Sequence, residues 1–241
     1  MKPSTTDPAA ALQTFRARYE HLENTQIKTP FHSGAGWYCH AGYEQCERGD
    51  YYWDGEKRGG DPAHPYFIFQ YTFDGFGIYE VNGERYKVGP GSAFVTTVPS
   101  AHAYYMPPDS PAWCIFHLTF SHPYIVSRLI ERLQLAGPVI AVAPGTRLLA
   151  ASIRLLNEAY EPSGLDQYSY EQALFEWMIE FERATQSLIY PEDQREQWLQ
   201  EVRSRLNQQF SGQLDVSALA AAKGMSRTYY SHQFKATTGI S

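Results

Sequence analysis

The hydrophobic period of this sequence changes once, near Pro123, from two to about 3.6. A chain patterned this way builds strands first and helices afterwards. Before the change, His64–Phe73 is rich in β-branched and aromatic residues, as strands prefer. Two short runs, Ile78–Val81 and Arg85–Val88, flank Asn82-Gly83-Glu84, and Asn-Gly accepts the positive φ of a tight hairpin. Ala93–Val98, Ala101–Met106 and Trp113–Phe120 follow, broken by Gly and Pro. Short strands at this spacing predict an antiparallel barrel of jelly-roll type.

After the change, the spacing predicts helices over Pro123–Leu135, Gly145–Tyr160 and Gln167–Ile189. On the longest, Tyr170, Leu174, Trp177, Phe181, Ala184 and Leu188 alternate in steps of four and three. Such a seam packs either on its own barrel or against a second subunit, and the pattern serves both. Tyr190-Pro191 marks a boundary, because the residue before proline is pushed out of helical geometry.

Charge separates the C-terminal end from the rest. From Val202 to Ser241 there are five cations (Arg203, Arg205, Lys223, Arg227, Lys235) and one anion, Asp215. That segment carries +4 within a total of −6, leaving −10 on residues 1–201. An acidic body with a basic tail suits a polyanion-binding module. The tail's pattern is equally specific. Trp198, Leu199, Val202, Leu206 and Phe210 form a helical stripe, after which Asp215 is placed to cap a short helix from Val216 to about Ala222. Gly224 permits a tight turn, and Ser226 caps a second helix on which Tyr230 and Phe234 face inward. The opposite face offers Arg227, Thr228, Ser231, His232 and Lys235. This is the construction of a helix-turn-helix, with Thr228, Ser231 and His232 spaced to reach base edges and Arg227 and Lys235 to reach phosphates.

The segment from Gly224 to Gly239 (GMSRTYYSHQFKATTG) resembles the first helix-turn-helix of the AraC/XylS transcription regulators. Tyr86–Tyr105 and Pro111–Phe120 resemble the cupin-like sensor domain of the same family. The resemblance implies an α+β chain: an antiparallel cupin-like barrel, a helical dimerisation region and a C-terminal all-α helix-turn-helix. It divides the chain into an arm and effector-binding barrel at 1–135, a helical dimerisation and linker region at 136–190, and a DNA-binding segment at 191–241. It also implies a cytoplasmic, bacterial, homodimeric non-enzyme that binds a sugar-like effector and promoter DNA, with RNA polymerase as a further partner. Family members carry two helix-turn-helix units, and the sequence holds residues of the first, so the second is expected to be missing. Phosphate contacts would then be roughly halved, and a sensor and dimerisation fragment unable to bind DNA stands as an alternative.

A sugar site needs aromatic faces and polar groups aimed at hydroxyls. Alternation on Trp113–Phe120 puts Trp113, Ile115, His117 and Thr119 on one side and Cys114, Phe116, Leu118 and Phe120 on the other. The expected effector residues are Tyr104, His117 and His102, joined by Trp113 and Tyr71, with Tyr79 and His64 near them. The rival expectation is a metal-dependent cupin enzyme. Its His-x-His pair is missing from Gly77–Asn82, and His102 alone stands where a later ligand would be. No metal or cofactor is therefore expected. The three cysteines, Cys39, Cys46 and Cys114, lack metal spacing. No apolar run approaches the roughly 20 residues of a membrane span, and the first residues lack a secretory apolar core.

Overall fold

The computed structural model describes residues 31–47, 51–160, 165–189, 216–222 and 224–239, with isolated positions at 13, 17, 196, 199–200 and 204. The Trp198–Phe210 stripe, the Tyr190-Pro191 boundary and the Asp215 cap otherwise lie outside the described residues. The chain divides into two compact units, 1–185 and 186–241.

The first unit holds ten strands: β1 (Phe31–His32), β2 (Tyr38–Cys46), β3 (Tyr52–Asp54), β4 (Tyr66–Gly75), β5 (Gly77–Val81), β6 (Glu84–Val88), β7 (Ser92–Val98), β8 (His102–Tyr105), β9 (Trp113–Phe120) and β10 (Val139–Ala141). They form a six-stranded sheet of order β1-β2-β9-β4-β7-β10 and a four-stranded sheet of order β3-β8-β5-β6. Every pairing is antiparallel. The β5–β6 hairpin turns on Asn82 at φ 55° and Gly83 at φ 78°, the positive pair that a two-residue type I′ turn requires.

The larger sheet is covered on both faces, which explains the nearly unbroken apolar run of β4. One face turns toward the smaller sheet, where Ile68, Phe94, Trp113 and Ile115 meet Tyr79, Tyr104 and Val88. The other face, with Phe67, Phe69, Tyr71, Phe116, Leu118 and Phe120, packs under helices α1 (Pro123–Ala136), α2 (Arg147–Tyr160) and α3 (Gln167–Ile189). Helix α1 starts with Pro123 in its first turn and His122 as its cap. The α3 seam packs within the chain. Tyr170, Leu174, Trp177 and Phe181 are buried, and the Trp177 ring meets Phe69 edge-on at 5.3 Å and Phe120 at 5.4 Å. Its indole N–H donates to Ser152 Oγ on α2 at 2.8 Å. Leu188, at the end of the seam, is half exposed.

In the second unit, α4 (Val216–Ala222) and α5 (Arg227–Thr238) form a helical hairpin. Gly224 turns the chain at φ 66°, and Ser226 caps α5 by accepting the Tyr229 N–H at 3.2 Å. Leu219, Ala220 and Tyr230 make the hairpin's own core, with Val216, Met225 and Phe234 packed against it.

Candidate functional sites

Between the two sheets lies a cavity of about 340 Å³, lined by residues of β1, β2, β3, β4, β8 and β9 and by Arg58 of the loop after β3. Strand alternation decides which side chains reach it. On β2, Cys39, Ala41 and Tyr43 go to the helix-side core, so Tyr38, His40 and Glu44 face the cavity. On β4 the same rule sends Ile68 and Gln70 inward, and on β9 it sends His117 and Thr119 inward. From the smaller sheet come Trp53 and Tyr104, with Tyr51 from the residue just before β3.

At one end, polar groups are threaded together. His117 Nε2 lies 3.3 Å from His40 Nδ1, and His117 Nδ1 lies 3.3 Å from a Glu44 carboxylate oxygen. Gly42 sits opposite His117 in the β2–β9 register, and a Cβ there would come within 2.6 Å of the His117 ring. Glycine is what lets the imidazole lie flat across β2. Burial, then the neighbouring His117, lowers the His40 pKa to about 4, so His40 is neutral near pH 7. Tyr51 donates its hydroxyl to Gln70 Oε1 at 3.4 Å. Two buried polar atoms on this wall, His40 Nε2 and Gln70 Nε2, have no partner among the described residues.

Arg58 supplies the cavity's cation. Its guanidinium stacks over the Trp53 ring at 4.3 Å and donates to the Tyr104 hydroxyl. Among the described residues no carboxylate pairs with it. Burial pushes the Tyr104 and Tyr51 hydroxyls up and Tyr38 to about 12, so these phenols stay protonated as donors.

The expected effector residues occupy three different layers. Tyr104 and His117 line the cavity. His102 and Trp113 stand behind the wall. His102 stacks parallel to Tyr104 at 6.0 Å and holds Ser100 Oγ at 2.8 Å through Nδ1. Trp113 is fully buried, meets Tyr51 edge-on and donates to Thr72 Oγ1 at 3.0 Å. Tyr71 is corrected outright: it lies on the helix side of β4, against Phe73 and Phe116, because its odd position faces away from Gln70. His64 is exposed and pairs with Asp61, outside the cavity. Tyr79 packs face to face on Phe94 in the core between the sheets. The residues that sequence reasoning missed are His40, Glu44, Gln70, Arg58, Tyr51 and Trp53. The alternation of β2 could have found the first two.

His40, Glu44 and His117 are neighbours, yet both His117 nitrogens already face the other two side chains. Among the described residues, no group of three His, Cys, Asp or Glu side chains converges as metal ligands. On α5, Arg227, Thr228, Ser231, His232 and Lys235 are all exposed, while Tyr230 turns inward.

The model of the AraC-like ligand binding domain matches residues 41–178, which include both sheets' central strands and most of the cavity wall. The chain belongs to this AraC-like family. Solved structures similar to this AraC-like chain include the AraC-like transcriptional activator CuxR, at 13% identity over 97% of this chain and 85% of that one, with a TM-score of 0.44. ToxT from Vibrio cholerae O395, bound to (E)-4-(8-methylnaphthalen-1-yl)but-3-enoic acid, is similar at 11% identity over 84% of this chain and 77% of that one, with a TM-score of 0.40. No curated protein matches the chain. Among the described residues of this family member, no helix is long and apolar enough to cross a membrane.

Proposed function

We propose that the protein is an effector-responsive transcription regulator of AraC/XylS type. A sugar-like metabolite binds in the cavity between the sheets, and α5 enters the major groove of promoter DNA. The observation that carries this reading is the division of α5. Tyr230 is buried with Leu219 and Ala220, whereas Arg227, Thr228, Ser231, His232 and Lys235 all remain exposed along one polar edge. A helical hairpin with its own core and a free cationic edge is a reading head. The cavity supports the other half, because it is walled by aromatic rings and threaded with hydrogen-bonding groups, as a polyhydroxylated ring requires. Effector occupancy shifts the balance between arrangements of the protein that differ in DNA affinity. The working form in this reading is a homodimer in the cytoplasm that contacts RNA polymerase at the promoter, with Tyr124, Tyr168 and Ile179 exposed on the outer helices for subunit contact.

The test is a gel-shift titration over salt with promoter DNA. His232→Ala should change base preference, and Lys235→Ala should weaken all sites alike with a shallower salt slope. Equal loss at every site for both variants contradicts the base-reading role of His232. No shift at low salt for the 241-residue chain, with a shift for a longer one, would favour a sensor and dimerisation fragment instead.

A further inference from the structure

The cavity's polar groups are specific enough to name a ligand class, and the assignment rests on the effector-binding reading above. We infer that the effector is an acid sugar: a monosaccharide-sized, polyhydroxylated ring bearing one carboxylate. The carboxylate sits on Arg58, and ring hydroxyls sit on Gln70 and His40.

Among the described residues, Arg58 is the only Lys or Arg lining the cavity, and it has no carboxylate partner. Trp53 and the Tyr104 hydroxyl fix its guanidinium by stacking and hydrogen bonding, and neither neutralises it. An oriented guanidinium with no carboxylate paired to it, in the wall of an aromatic pocket, is matched to a planar oxyanion. A single guanidinium, with the Glu44 carboxylate in the same cavity, suits a monoanion and disfavours a phosphate dianion.

Across the cavity, the requirement is for hydroxyls. The Glu44 oxygen beside His117 Nδ1 favours the tautomer with its proton there, which leaves His117 Nε2 to accept from His40 Nδ1–H. His40 Nε2 is then a bare acceptor. Gln70 is 1% exposed, and with its Oε1 taken by Tyr51 its amide nitrogen is a bare donor. One unfilled acceptor and one unfilled donor are what a hydroxyl satisfies, since it both gives and takes a hydrogen bond. Trp53, Tyr38, Tyr66 and Tyr104 supply flat apolar surface for the ring's C–H face. A cavity of about 340 Å³ accommodates a monosaccharide with room for a few waters.

The experiment is isothermal titration of the full chain with galacturonate and glucuronate, with galactose and glucose as their neutral parents, and with benzoate as a ring acid without hydroxyls. At least one hexuronate is expected to bind about tenfold or more tighter than its parent hexose and than benzoate. Arg58→Gln should remove the preference for the acid, and Arg58→Lys should restore part of it. Gln70→Leu should weaken hexuronate binding by about tenfold, with thermal melting of each variant confirming that it folds. The assignment is overturned if the hexoses bind as tightly as the hexuronates, if benzoate binds better, if Arg58→Gln leaves the affinity unchanged, or if none of the compounds binds at millimolar concentration. A neutral hexose that binds and alters DNA retention would sink the acid-sugar assignment while leaving the regulator reading standing.

Discussion

Acidification from pH 7 to pH 5 should destabilise the barrel through two neutral histidines. His102 is 6% exposed, bonded to Ser100 and Thr96 through Nδ1, and burial lowers its pKa from 6.5 to about 4. His40 is lowered to about 4 as well, by burial and then by His117. Both are protonated more readily in the unfolded chain. Their contribution is therefore present above about pH 6.5 and is lost as pH falls toward 4. At about 1.4 kcal/mol per unit, each shift is worth at most about 3 kcal/mol in full, and about 2 kcal/mol of it is gone by pH 5. His40 is less buried than His102 and has the Glu44 carboxylate nearby to favour its charged form, so its share is the smaller. Carboxylates such as Asp54, Asp61 and Asp166 are held below their ordinary 3.8 by hydrogen bonds, so their losses begin under this window. Urea unfolding followed by tryptophan fluorescence should show stability falling by about 2–4 kcal/mol between pH 7 and 5. His102→Gln should flatten that dependence by about 2 kcal/mol whatever its effect at pH 7. A flat profile for the parent, or an unchanged slope in His102→Gln, would refute the reasoning.

Three further outcomes follow from the packing. Trp177→Ala removes the ring lodged between Phe69 and Phe120 and the bond to Ser152, and should cost about 3–5 kcal/mol in urea unfolding. Gly42→Val places side-chain atoms where His117 lies, so imidazole NMR should show the His117–His40 hydrogen bond lost while the sheet persists. Ser226→Ala removes the α5 cap and should cost about 1 kcal/mol, seen as faster amide exchange in α5 and not in the barrel strands.

The fold was more legible than the site, for a physical reason. Helix α3 was read at its observed limits because its apolar spacing is long and regular. The Asn82-Gly83 turn was read because positive φ restricts residue choice. On β9, simple alternation separated Trp113, Ile115, His117 and Thr119 from the helix-side core. The same rule on β4 turns Gln70 toward the cavity and Tyr71 toward the helices. Strand β2 pairs with β9 across 67 to 81 residues of chain, and no local signal announces that pairing. Arg58 comes from a loop, where periodicity says nothing, and only the folded chain brings it to Tyr104. The two-sided burial of β4 hid its parity as well, because both of its faces are largely apolar.

The central claim is that the exposed edge of α5 reads duplex sequence, and selection from a pool of randomised duplex DNA tests it most directly. The unaltered chain should enrich a defined motif, His232→Ala should relax that motif at one position, and Lys235→Ala should recover the same motif in lower yield. Recovery of unenriched, random sequence by the unaltered chain at low salt would contradict the account.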